Sequence, residues 1–340
     1  MPGAFVITTI QSPTPGVRAI AEMVPSHDFR LIVIGDEKSP EPWEYPDADY
    51  FSVDAQSQLG FRVAAHLPTN SYTRKMLGYL VAAESGASWI RETDDDNAPY
   101  SDFLEEPPSS LLCRTPETGN EWLNVYAFFS DRHVWPRGYP LSDLGRRNCE
   151  QDLPQMRRLP GPFLMQALAN GDPDVDAIYR LTAPDTTDIT FLPGEPVALP
   201  TGVWCPFNSQ ATTWPRELFA LMYLPATCTF RMTDIWRSFV VQRMLPDLGA
   251  NLVFTSATVH QDRNEHNLLS DFAQEVPGYL GTEQIRAVLD ATPIKGGASN
   301  VLADLETLYR ALIDAGFLTS DELPVLAAWL NDVRGLGLAS

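Results

Sequence analysis

Along the first hundred positions, short β-branched runs alternate with stretches in which apolar residues recur at helical spacing. Residues 5–10, closed off by Pro13 and Pro15, read as a strand, and residues 17–24 as a helix ended by Pro25. Residues 29–34 form a second buried strand that stops at Gly35 and Asp36, and residues 50–53 a short third. Helical spacing returns over 54–65 and 71–85, where Leu77, Leu80 and Val81 share a face and Gly86 supplies the stop. The next strand, 87–93, runs into Asp94, Asp95, Asp96 and Asn97. Such alternation predicts an α/β fold with a mostly parallel sheet flanked by helices. Ligands of these sheets sit at the carboxyl ends of the strands, where the acidic cluster falls.

From 98 to 162 prolines are frequent and periodicity is poor, so the stretch reads as insertion and loop with one possible strand over 123–129. Short strands are expected over 176–181 and 189–192, then a polar turn at 206–210. Residues 214–224 read as a helix, 227–232 as a strand, and 234–245 as a helix with Thr233 as its cap. A strand over 251–255 and a helix over 265–275 complete a first domain, 1–277. After Pro277 helical segments over 282–291, 300–315 and from 319 onward predict a helical extension, 278–340, with Leu302, Leu305, Leu308 and Leu312 as its apolar stripe.

Charge narrows the partners. With 24 Lys and Arg against 44 Asp and Glu, the net charge of −20 disfavours a nucleic-acid or anionic-membrane surface. The four cysteines are far apart and suggest neither a zinc knuckle nor a disulfide framework. No apolar run approaches the roughly 18 residues of a membrane span, and a soluble, cytoplasmic protein is the expectation.

The triplet Asp94–Asp95–Asp96 at a strand end suits a divalent cation, and an extended backbone would put Asp94 and Asp96 on one face. A solvated turn uses the same residues. A chain this acidic needs local cations to hold a phosphorylated ligand, and Arg74 and Lys75 start the helix before the acidic strand, with Lys38 beyond the second strand. Thr8 and Thr9 after the first strand, and Gly35 and Asp36 after the second, complete a nucleotide-sized cleft. Neither a Rossmann G-x-G-x-x-G nor a P-loop sequence is present, which disfavours dehydrogenase and kinase chemistry.

Six segments in order over roughly residues 4 to 280 then carry a family resemblance. They are 74–79 (RKMLGY), 92–97 (ETDDDN), 171–180 (GDPDVDAIYR), 207–210 (FNSQ), 233–237 (TDIWR) and 261–266 (QDRNEH). They resemble those of STELLO-type glycosyltransferases. The resemblance implies a GT-A fold, a Rossmann-like sheet domain that binds a nucleotide-diphosphate sugar through Mn²⁺ or Mg²⁺ and passes the sugar to a hydroxyl of a glycan or other acceptor. Surface-glycan or polysaccharide synthesis is the implied setting. Plant members carry a transmembrane anchor, so their localisation is not carried over.

Under that resemblance the D-x-D element falls on Asp94, Asp95 and Asp96, with Asp96 as direct metal ligand and His266, or else His260, as a further one. Thr8, Thr9, Gly35 and Asp36 face the nucleoside, Arg74 and Lys75 the nucleoside or diphosphate. Asp234, at a helix start that favours an anion, is the implied general base of an inverting transfer. Asp174 and Asp176 are alternatives, and Arg180 would bind phosphate or sugar hydroxyls. A weaker similarity of residues 174–180 and 234–237 to UDP-arabinopyranose mutases leaves a nucleotide-sugar mutase as one alternative, and an inactive scaffold as another.

Overall fold

The structure, a computed structural model, describes residues 2–145, 155–183, 188–262 and 267–338. Its centre is a sheet whose first strands are apolar on both faces, the pattern of parallel strands covered by helices. These are β1 (Gly3–Thr9), β2 (Phe29–Gly35), β3 (Ala48–Phe51) and β4 (Trp89–Thr93). β5 (Asn97–Pro99), β6 (Ser110–Thr115), β7 (Gln155–Pro160), β8 (Phe163–Gly171), β9 (Val197–Ala198), β10 (Ala211–Pro215) and β11 (Asn251–Gln261) follow. The sheet order is β3-β2-β1-β4-β10-β8-β11-β9-β6-β7, with β5 paired to β11. The β3-β2-β1-β4 half is parallel throughout, β10 enters antiparallel between β4 and β8, and β8 and β11 are again parallel.

Helices cover the sheet: α1 (Pro15–Met23), α2 (Val53–Ser57), α3 (Lys75–Glu84), α4 (Ala177–Thr182) and α5 (Thr233–Met244). In α3 every residue from Lys75 to Ala83 is buried, and a Cβ on Gly78 would lie 2.4 Å from Val6 Cγ1. Glycine there lets α3 press against β1. The C-terminal helices are α6 (Leu268–Ala291), α7 (Val301–Asp314) and α8 (Glu322–Gly335). Their Ile285, Leu305, Leu308, Leu312 and Trp329 belong to the same core as Leu218 and Tyr223 of the sheet region. Carboxylates stitch the contact further. Glu322 accepts from the backbone of Ala226 and Thr227, and Asp332 from Arg62 N (2.9 Å) and Val63 N (2.8 Å).

The parallel half matches the sequence pattern closely, and the later half departs from it. The expected strand over 176–181 is α4, because the Asp176 carboxylate accepts from Tyr179 N (2.7 Å) and caps a helix start. Trp214 belongs to β10, followed by a 3-10 turn at Arg216–Leu221, and the expected strand over 227–232 contains a 3-10 turn at Phe230–Met232. A 3-10 turn at Val125–Phe128 replaces the strand expected over 123–129. Thr233 is the first residue of α5 rather than its cap. β8 has no counterpart in the expected elements. α6 runs through Pro277, where the sequence pattern suggests a break. No helix among the described residues is long and apolar enough to cross a membrane.

Candidate functional site

A cavity of about 380 Å³ opens at the carboxyl ends of β1, β2 and β4. Its lining includes Thr8, Thr9, Gly35, Asp36, Lys38, Arg74, Asp94, Asp95, Asp96 and Asp234, so most residues singled out from the sequence converge there. Convergence follows from topology: parallel strands end side by side, whatever the distance between them in sequence.

At one end of the cavity β2 delivers Asp36. Its Oδ1 accepts from the backbone of Glu37 and Asn70, both at 2.8 Å, and its Oδ2 from Ser71 N at 3.0 Å. The 3-10 turn Tyr72–Arg74 then sets Arg74 on the cavity wall. Gln56 of α2, wholly buried, donates Nε2 to the carbonyls of Gly35 and Phe51, both at 2.8 Å, which turns its Oε1 to Arg74 Nε, also at 2.8 Å. The remaining bonds of Arg74 are long ones from Nη1 to the carbonyls of Leu67 and Pro68. Arg74 is thus a buried cation whose direct partners are all neutral, and burial lowers its pKa.

The floor holds the acidic cluster. β4 stops at Thr93 and Asp95 and Asp96 form a turn, so the alternation of faces expected from an extended backbone does not occur and all three carboxylates reach the cavity. Asp94 accepts from Tyr72 Oη (2.8 Å) and Lys75 Nζ (3.1 Å). Lys75 is fully buried and also donates to Tyr72 Oη and the Thr93 carbonyl, so it orients Asp94 from beneath and does not line the cavity. Asp95 accepts from Thr9 Oγ1 at 2.5 Å, and burial raises its pKa. Asp96 accepts from Gln261 Nε2 at 3.2 Å. The turn is pinned by Thr14, whose hydroxyl donates to the Asp95 carbonyl and accepts from Val17 N at the start of α1. A Cβ on Gly16 would fall 2.2 Å from the Asn97 carbonyl oxygen, so the helix comes this close only with glycine there.

Below the cluster lies a buried ionic node. Glu92 takes both terminal nitrogens of Arg237 (3.0 and 2.7 Å) and Trp214 Nε1 (2.8 Å), with Tyr79 Oη as a fourth donor. Neither Glu92 nor Arg237 is exposed. The node joins β4, α3, β10 and α5 one residue before Thr93, which fixes where the acidic turn begins.

The opposite end is built from residues the sequence pattern did not bring together. Arg137 donates to both oxygens of Asp174 at 2.7 Å and to both oxygens of Asp234 at 3.1 Å. Asn208 Nδ2 also reaches Asp174, and Ser209 donates its N–H and hydroxyl to Asp234. Arg231 pairs with Glu275 of α6 (2.8 Å), whose other oxygen accepts from Ala177 N and Tyr279 Oη. The sequence pattern assigns no site role to Arg137, Arg231 or Asn208. The arginines' one signal is local, one wedged in the run W-P-R-G-Y-P at 135–140 and another just before α5, while Asn208 lies in the F-N-S-Q segment at 207–210.

Asp176 and Arg180 stand behind this wall and do not line the cavity. Asp176 caps α4 and accepts from Trp135 Nε1 (2.6 Å), and burial pushes its pKa up to about 6. Arg180 pairs with Asp172 and donates to the Pro173 carbonyl. His266 lies outside the described residues. His260 sits near Asp262 (3.3 Å), off the cavity.

Among the described residues no group of three or more His, Cys, Asp and Glu forms a ready-made metal site. Asp94 and Asp96 nonetheless present a hard, oxygen-only donor pair to the cavity. That set fits Mg²⁺ or Mn²⁺ of the kind held by one or two carboxylates and completed by phosphate oxygens and water.

A parallel α/β sheet with an acidic turn at the end of a central strand, a cavity above it and helices packed at its C-terminus defines a GT-A-like glycosyltransferase fold. Comparison with known proteins takes this further. Residues 231–340 match the family model of STELLO glycosyltransferases. Two relatives from Arabidopsis thaliana, "Probable glycosyltransferase STELLO1" and "Probable glycosyltransferase STELLO2", are 31% and 30% identical to the chain over 98% of its length. Along nearly its whole length the chain is therefore similar to STELLO-type glycosyltransferases. It spans 44% and 45% of the length of these two relatives.

Proposed function

We propose that the chain transfers a sugar from a nucleoside-diphosphate donor to an acceptor hydroxyl. The observation that carries this reading is one cavity in which the carboxyl ends of β1 and β2, the Arg74 cation and the Asp94–Asp96 turn all meet. The nucleoside lies against Thr8, Gly35, Asp36 and Arg74. Asp94 and Asp96 would hold Mg²⁺ or Mn²⁺, which when bound would supply positive charge to the diphosphate leaving group.

The chain's own residues do the rest. Lys75 and Tyr72 orient Asp94, and Thr9 and Thr14 hold the turn, so the carboxylates need little rearrangement when donor arrives. Arg137 and Arg231 bring positive charge to the far end, where Asp234 faces the cavity. Arg137 donates to both oxygens of Asp234, so it competes with an acceptor hydroxyl for the same carboxylate. Proton uptake from the acceptor hydroxyl at Asp234 therefore goes with loosening of that pair. Asp176 and Arg180 act as positioning residues behind the wall.

The test is Asp96→Ala, assayed for donor turnover with Mn²⁺ present. Transfer should fall about 100-fold or more, the scale of losing one charge-stabilising group, while the melting temperature stays close to that of the parent. Unchanged turnover would remove the acidic turn from the chemistry.

A further inference from the structure

We propose that Tyr72 and Ser209 form a two-state hydroxyl pair that gives one hydrogen either to Asp94 of the acidic turn or to Asp234 of the opposite wall. Loading the turn with a cation hands that hydrogen bond to Asp234. The inference rests on the metal-dependent transfer reading above and adds the order in which the two ends of the cavity become ready.

The four groups lie in one chain. Tyr72 Oη is 2.8 Å from Asp94 Oδ1 and 2.6 Å from Ser209 Oγ, which in turn is 3.2 Å from Asp234 Oδ2. Three gaps of hydrogen-bond length are spanned by two hydroxyls, and each hydroxyl brings a single hydrogen. The shortest gap must hold one of them, because two oxygens that close repel without a hydrogen between them. In one arrangement Ser209 donates to Tyr72 and Tyr72 to Asp94. In the other Tyr72 donates to Ser209 and Ser209 to Asp234.

Neither carboxylate is stranded when the shared hydrogen turns away. Asp94 keeps Lys75 Nζ, and Asp234 keeps the Ser209 N–H and Arg137. The two arrangements are therefore close in energy, as a switchable element requires. Only hydrogens move. Ser209 is 1% exposed, and its neighbours in the F-N-S-Q segment are pinned, Asn208 Nδ2 to Asp174 at 2.9 Å and Gln210 Nε2 to Gln261.

In the first arrangement Asp94 Oδ1 accepts from both Tyr72 and Lys75, which fills its lone pairs. A cation on that carboxylate favours the second arrangement, which opens one of them. Asp234 Oδ2 then takes both the N–H and the hydroxyl of Ser209, so the carboxylate on the acceptor side is held most firmly once the turn is loaded. Tyr72 and Ser209 are positioning residues, and both keep their protons throughout.

The experiment measures Mn²⁺ affinity, with Mn²⁺ as the sole ligand followed by electron paramagnetic resonance, on the full chain and on Ser209→Ala, Tyr72→Phe and the double variant. Ser209 does not touch the acidic turn, yet Ser209→Ala leaves the Tyr72 hydrogen with Asp94 alone. Mn²⁺ affinity should fall about fivefold, the worth of roughly one hydrogen bond. Tyr72→Phe removes the competing hydrogen and should bind Mn²⁺ at least as well as the parent, and adding Ser209→Ala to it should change nothing. Mn²⁺ binding that is unaltered in Ser209→Ala overturns the hydroxyl pair and leaves the metal reading standing. An equal fall in both backgrounds also overturns it, since Ser209 would then act through packing. A parent chain that binds no Mn²⁺ overturns both readings. Should Tyr72→Phe fold poorly, Ser209→Ala still decides, because the pair cannot survive an unchanged affinity there.

Discussion

On the β1–β2 side of the cavity, side chains are held by backbone groups of the strand and turn they follow. Asp36 bonds the next residue and the loop at Asn70 and Ser71, and Gln56 bonds the ends of β2 and β3. On the opposite side, Arg137, Asp174, Arg231 with Asp234, and Glu275 come from four separate segments and hold one another by charge. The first wall is organised by secondary structure, the second by a buried ionic chain that reaches into α6. The contrast teaches that the second wall depends on completeness. Removing one member of a buried ion network leaves the others charged, buried and uncompensated, whereas removing a neutral hydrogen bond costs about 1 kcal/mol.

The sharpest way to break this contrast is Arg137→Met. Two carboxylates, each under one-tenth exposed, would lose their shared cation. The expected cost is roughly 3–5 kcal/mol, read by urea denaturation, against about 2 kcal/mol for Arg74→Met on the first wall, where Gln56 Oε1 loses its donor. Comparable losses for the two variants would mean that the ionic chain does not organise its side.

The same division explains what the sequence made legible. The parallel half announces itself through unbroken apolar runs in β1 and β2, and a parallel sheet then forces the loops after those strands to one edge. Thr8, Gly35, Asp36 and the acidic turn are found together by that rule alone. Lys75 shows the rule's limit. Its position next to Arg74 says nothing about which way each points, and packing sends Arg74 to the cavity and Lys75 into the core under Asp94. The second wall obeys no periodicity. β8 was missed because the Pro160–Gly161–Pro162 punctuation and an A-L-A-N-G ending weaken its strand signal. Arg137 was missed because its partners lie 37 and 97 residues away. The sequence pattern places Asp176 on a strand because the alternation Asp174-Val175-Asp176-Ala177-Ile178 imitates one and hides the capping role.

That cap offers the next test. The Asp176 carboxyl titrates near 6 in the folded chain against an ordinary value of 3.8, because burial disfavours the anion. The raised value means that the ionised group opposes folding above about pH 6. The opposition fades as pH falls through 6 and is gone below the unfolded value. By linkage it amounts to something on the order of 3 kcal/mol. Relative to Asp176→Asn, the parent should therefore gain stability as pH drops from 7.5 to about 4.5. Denaturation curves that keep a constant gap between the two proteins across that range would show that burial does not govern this group.

The smallest effect separates the two walls through the C-terminal helices, which send one carboxylate to the second wall and one to the 3-10 turn Arg62–Ala65, outside the cavity lining. Glu275 of α6 holds Arg231 and the start of α4, and Asp332 of α8 holds two backbone N–H groups at Arg62 and Val63. Glu275→Gln removes a charge from a buried pair and should cost about 2 kcal/mol, with a lower turnover because Arg231 faces the cavity. Asp332→Asn keeps one acceptor oxygen and replaces the other by a donor facing an N–H. It should cost only about 1 kcal/mol, and its turnover should match the parent's, since Gln56 and Asp36 anchor the first wall without help from α8. Steady-state kinetics on both variants, at a temperature where each is fully folded, distinguishes the cases. A turnover loss in Asp332→Asn as deep as in Glu275→Gln would mean that the first wall leans on the C-terminal helices as heavily as the second. Strand ends and turns would then not suffice to hold it.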